Sequence, residues 1–115
     1  MKNEFEVRSS DGVTTYVVEF LLESSQLHVY CGCPAGLLGK WCKHKMWLIS
    51  GDISEVIGTS GMGDFDAVRN WVRNSELPRL LDEMRLAENE MHAVKAKLDN
   101  LKRALEKAVQ KGVPI

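Results

Sequence analysis

Three cysteines and a histidine fall within fourteen residues of this chain, as Cys31-Gly32-Cys33, eight intervening positions, and then Cys42-Lys43-His44. These are all the cysteines in its 115 residues. An odd number so tightly clustered makes a poor disulfide framework and a natural metal site in a reducing compartment. Two thiolates followed by a thiolate and an imidazole form the S3N set that zinc prefers. All four can reach one ion if a loop folds the second pair over the first. Gly32 and Gly36 supply the backbone freedom for that loop. Four protein ligands leave no open position for water or substrate, so the spacing predicts one structural Zn2+ held by Cys31, Cys33, Cys42 and His44.

Other readings of the same residues explain less. A Cys31/Cys33 redox pair, or a Cys42 nucleophile with His44 as its base, leaves the fourth ligand without a role. Glu55, Asp64 and Asp66 read as caps and loop solvation, and the chain has no phosphate-cradling glycine motif and no nucleophile elbow. The expectation is therefore a protein that is not an enzyme. His28 and His92 read as ordinary surface or half-buried histidines.

The residues before the cluster alternate. Phe5 and Val7 alternate with Glu4, Glu6 and Arg8, and Asp11-Gly12 then carries hairpin-turn chemistry. Tyr16, Val18, Phe20 and Leu22 define one face of a second strand, Ser24-Ser25 breaks it, and Leu27, Val29 and Cys31 resume the alternation. The pattern predicts a three-stranded antiparallel meander. Cys33-Pro34-Ala35-Gly36 takes the chain out of the sheet, and residues 42–50 then read as a short helix closed by Gly51. Met46-Trp47-Leu48-Ile49 is apolar all round, which suits a helix sandwiched in a core. A glycine-rich stretch at 58–63 reads as a linker, with Asp64 or Asp66 capping a helix that runs to about Arg73.

Two strands running into Cys31-Gly32-Cys33-Pro34, then Cys42-Lys43-His44 opening a helix, resemble the SWIM zinc finger, whose pattern is CxC, a variable spacer, then CxH. The stretch covers about a third of the chain, from Tyr16 to Gly51, and shares the family's proline after the second cysteine and its lysine between the last two ligands. The resemblance implies a strand-strand-helix zinc module of the sort found in chromatin-remodelling ATPases, transposases, recombination factors and ubiquitin ligases. There it is credited with DNA binding or protein contacts.

Beyond Pro78 the pattern becomes a heptad. Leu77, Met84, Met91, Leu98 and Leu105 occupy the a positions, and Leu80, Ala87, Val94, Leu101 and Ala108 the d positions, unbroken over five heptads. The Met84 and Met91 stripe is packing surface at helical spacing. Flanking charges are segregated, acidic over 82–90 and basic over 95–111. An antiparallel homodimer is therefore expected, with Glu83 meeting Lys97 and Glu88 meeting Lys102 of the partner; packing in cis on the 64–73 helix, or pairing with a helix of a different protein, is the alternative.

The fold class that follows is α+β: a zinc-closed meander with a short helix over 1–57, a linker and short helix over 58–76, and a coiled-coil helix over 77–111. With 15 basic and 16 acidic side chains the net charge is -1, so attraction to nucleic acid must be local. Lys40, Lys43 and Lys45, interleaved with Trp41, are the candidate contacts for DNA or RNA phosphates and bases. Docking of the zinc module on a larger protein partner is the alternative. No apolar run approaches the ~20 residues that span a bilayer, and Met1 to Val7 has no secretory pattern, so the expected location is cytoplasmic or nuclear, with no membrane partner.

Overall fold

The computed structural model describes residues 1–57 and 63–115, so most of the glycine-rich linker at 58–63 lies outside the described residues. Period-two alternation becomes three strands, β1 (Lys2–Arg8), β2 (Thr15–Glu23) and β3 (Gln26–Cys31), paired antiparallel in the order β1-β2-β3. The α+β class and the meander are as the alternation predicts. Phe5 lies opposite Val18 and Val18 opposite Cys31, so the row that begins in the apolar core ends on a metal-ligand candidate.

Each turn has its own chemistry. Asp11 Oδ1 accepts from the amides of Val13 and Thr14, at 2.9 and 2.8 Å, and Gly12 takes a positive φ of 76°. These bonds, with that from the Thr14 hydroxyl first among them, hold the Asp11 carboxyl down at about 2. The β2–β3 turn is two residues long, with Ser24 and Ser25 both left-handed at φ 51° and 62°. That is type I′ geometry, which glycine and asparagine adopt more readily than serine.

Leaving β3, the chain does not simply turn. Pro34–Leu37 forms a one-turn helix, α1, whose first position suits proline because the missing amide would have no helical partner there. The second helix, α2 (Lys43–Ile49), has Cys42 as N-cap, and the third, α3 (Phe65–Arg73), has Asp64 as N-cap, its carboxylate accepting from the Ala67 amide at 3.0 Å. Of the two candidate caps, Asp66 instead lies in the first turn, where a carboxylate suits the helix dipole. The last helix, α4, runs Leu77–Lys111 and ends at Gly112 with φ 87°.

The core lies on one face of the sheet. Phe5, Val7, Val18 and Phe20 of the strands are buried with Leu48 and Ile49 of α2 and Val68 and Val72 of α3. Met46 and Trp47 are only half-buried, so α2 buries one face and is not enclosed all round. Phe5 meets Phe20 and Phe65 edge-on, with centroids 5.8 and 6.1 Å apart, and the Asp64 amide donates to Asn3 Oδ1 at 2.9 Å. Both contacts set the start of α3 on β1. The free edge of β1 is covered at 55–57, where Arg8 donates to the Glu55 carbonyl and Ile57 to the Glu6 carbonyl.

The chain forms two compact units, Met1–Pro78 and Arg79–Ile115. Among the described residues, no helix is long and apolar enough to cross a membrane.

Candidate metal centre

Cys31 is the last residue of β3, Cys33 caps α1, Cys42 caps α2, and His44 sits in the first turn of α2. The four side chains converge from three elements, and all are buried. Their ligand atoms lie within 4.8 Å of one another, and Cys31 Sγ is 3.7 Å from His44 Nδ1. A tetrahedral ion with metal–sulfur bonds near 2.3 Å needs edges of about 3.5–4 Å. The arrangement is close to that dimension, and none of the three thiols is used in a disulfide. Four Cys/His groups thus form a site that can hold a metal ion.

Backbone amides prepare the sulfurs. Gly36 donates to Cys33 Sγ at 3.3 Å, and Lys45 to Cys42 Sγ at 3.5 Å, so each cysteine caps its helix with its sulfur, three residues before the donor. Burial pushes the Cys31 thiol up to about 12, and the neighbouring Cys42 and Cys33 sulfurs add to the rise. Burial also acts against ionisation of Cys33, but donation from the Gly36 amide, the Cys31 and Cys42 thiols and the Ala35 amide brings it below the ordinary thiol value. Three sulfurs this close cannot all ionise against one another, whereas a dication among them deprotonates a coordinating thiol outright. Burial, with the charge of Lys43, lowers the His44 pKa and keeps the ring in the neutral form that binds metals.

Residues of the β1–β2 hairpin also touch the cluster, which the spacing of the four groups does not signal. His44 Nε2 lies 3.1 Å from Ser9 Oγ, Lys43 Nζ donates to Ser10 Oγ, and the Tyr16 ring stands 5.2 Å from the His44 ring. Ser9 and Tyr16 also help line a cleft of about 390 Å³ against the ligand residues. The Trp47 ring meets the His44 ring edge-on, with centroids 5.4 Å apart. His28 lies away from the centre, stacked on Tyr30 on the exposed face of β3, and His92 is exposed on α4.

The basic loop divides. Lys40 and Lys43 are exposed and Trp41 is 46% exposed, whereas Lys45 is only 8% exposed and donates from Nζ to the Lys40 carbonyl at 3.2 Å. Lys45 therefore ties the loop shut from within, and its ammonium is turned away from any phosphate approaching from solvent. Leu37 and Leu38 project on the same loop, 76% and 72% exposed. Along α4, the seam residues Leu80, Met91, Val94, Leu98, Leu101 and Leu105 are exposed. Ala87 is exposed too, and Leu77, Met84 and Ala108 are intermediate.

No known protein family, curated protein or solved structure matches this chain.

Proposed function

We propose that this protein is a non-enzymatic, SWIM-like zinc-binding adaptor. One Zn2+ on Cys31, Cys33, Cys42 and His44 fastens the zinc loop to the sheet, the loop contacts single- or double-stranded nucleic acid, and α4 joins the module to another helix. The convergence of four buried Cys/His ligand atoms within 4.8 Å carries this reading. Zinc is favoured over other metals by the three-thiolate, one-imidazole donor set, and a structural role by its closure with four protein ligands. Thiols kept free for a metal suit a reducing compartment, cytoplasmic or nuclear. Support for nucleic acid is the pairing of exposed Trp41, a stacking surface, with Lys40 and Lys43 on either side.

One observation favours the alternative of a larger protein partner. Leu37 and Leu38, exposed beside Trp41, form an apolar tip of the kind that interfaces bury.

Metal analysis of protein purified without added metal is expected to find about one zinc per chain. Binding to duplex DNA should be weak, with a log-log salt slope of about -2, because two exposed lysines rather than three face solvent. Replacing Lys40 and Lys43 together by Gln should abolish it. Unchanged DNA affinity in that variant, combined with loss of a protein partner on Leu37→Ser/Leu38→Ser, would establish the second reading over the first.

A further inference from the structure

We infer that α4 pairs with α4 of a second copy of this chain as an antiparallel coiled coil in one register, centred between His92 and Ala93. The inference rests on the reading of α4 as the joining element and specifies what it joins, and how.

The helix is 35 residues long, with no glycine inside it and its one proline in the first turn. Its seam is exposed at seven of ten positions, and Met91, Val94 and Leu105 are each more than 60% exposed. Such a stripe over five heptads is the surface that a partner helix covers. The seam supplies attraction but no direction, so the flanking charges must decide orientation. A parallel, in-register pair sets Glu83 against the partner's Glu88 and Lys97 against the partner's Lys102, which repel, and leaves only Glu90 with the partner's Lys95 attractive.

Turned antiparallel about the chosen centre, every one of the ten seam residues finds a counterpart at its own level. Met91 faces the partner's Val94, Ala87 faces the partner's Leu98, and Leu77 faces the partner's Ala108. The last two set large against small, which fills a layer without overpacking it. A shift of one heptad either way would strand seam residues at one end. The same register brings Glu88 beside the partner's Lys95 and Glu90 beside the partner's Lys97, and two-fold symmetry repeats both contacts. One turn further out, Glu83 reaches toward the partner's Lys97 and Glu88 toward the partner's Lys102. The like pairs at that longer reach, Glu90 and Lys95 each with its own copy, already have nearer opposite charges. Hydrophobic register and charge register coincide, although they are set by different residues.

The test uses the zinc-loaded full chain. Sedimentation equilibrium at micromolar concentration should show a dimer. Glu83→Lys/Glu88→Lys/Glu90→Lys should weaken it at least tenfold, and adding Lys95→Glu/Lys97→Glu/Lys102→Glu to the same chain should restore it, because all four pairs are then reversed rather than broken. A mixture of Leu80→Cys and Leu105→Cys chains under thiol exchange should give mainly the 80-to-105 disulfide. A monomer, a failure of the reversal to restore the dimer, or predominance of the 80-to-80 disulfide would each overturn the inference. The zinc reading fails separately, on metal content: a monomer with one zinc per chain leaves that reading standing, and a dimer without zinc leaves this inference standing.

Discussion

His44 is addressed at both ring nitrogens. Nδ1 faces Cys31 Sγ at 3.7 Å and Nε2 lies 3.1 Å from Ser9 Oγ, so the side toward the sulfurs and the side toward the hairpin are distinguished. In metal sites a partner on the second nitrogen fixes the tautomer and the ring orientation, and losing it typically costs 10–100-fold in affinity. Ser9→Ala should therefore weaken zinc binding by about 10- to 100-fold in a chelator competition, while Ser9→Thr, which keeps the hydroxyl, should stay near the parent. The Co2+-substituted ligand-field spectrum should shift in the alanine variant and not in the threonine one. Equal affinities in all three proteins would remove Ser9 from the site. The cluster of four Cys/His groups was legible in sequence because it is local, two pairs at fixed short spacing. Ser9 was not, because a serine 35 residues before its partner has no spacing that marks it. Its position depends on how the Asp11 turn folds the hairpin tip back over α2. Lys45 shows the same limit: composition makes it one of three loop lysines, and only the closed loop shows its ammonium bound to the Lys40 carbonyl.

At the scale of elements, the strands were readable because burial on one face imposes a period of two, and β1, β2 and β3 follow it. The loop after β3 was harder. One turn of helix is too short for a hydrophobic period, and α1 buries none of its own residues. Gly32 before it and Gly36 within it also differ in kind. A Cβ at Gly32 would meet nothing nearer than the Val17 carbonyl oxygen at 4.0 Å. A Cβ at Gly36 would fall 2.8 Å from the Cys31 Cβ and closer still to the Cys31 carbonyl oxygen. Gly36 is thus needed for close approach of α1 to the end of β3 rather than for turning freedom. Gly36→Ala should force that backbone apart at a cost of about 1–3 kcal/mol. It should also strain the Gly36 amide bond to Cys33 and weaken metal binding, whereas Gly32→Ala should change either property little. Thermal unfolding of the zinc-loaded variants, with zinc competition alongside, would show the contrast; equal behaviour of the two alanines would argue against the close approach.

For the whole molecule, the question is what holds Met1–Pro78 together. Among the described residues only six side chains, Phe5, Val7, Val18, Phe20, Leu48 and Val68, are almost fully buried, a thin core for a unit that must offset the ordering of more than seventy residues. Units this small are commonly stapled, and a structural zinc contributes on the order of 10 kcal/mol in small fingers. The four clustered Cys/His groups lie where such a staple would act most: Cys31 continues the core row from Phe5 and Val18, and His44 opens the helix that contributes Leu48 and Ile49. Arg79–Ile115 has no Cys and contains none of the four clustered Cys/His groups. Chelation should therefore separate the units. A strong chelator at neutral pH is expected to abolish the near-UV dichroism and shift the Trp47 fluorescence as the sheet and α2 come apart. The ellipticity at 222 nm should largely persist, because α4 alone holds 35 helical residues against 4, 7 and 9 in α1, α2 and α3. Cys42→Ala should give the same divided signal without chelator. Readdition of one equivalent of Zn2+ should restore the near-UV spectrum of the parent and not of the variant. A near-UV spectrum that survives complete metal removal would mean that the apolar core suffices and that the ion is dispensable to the fold.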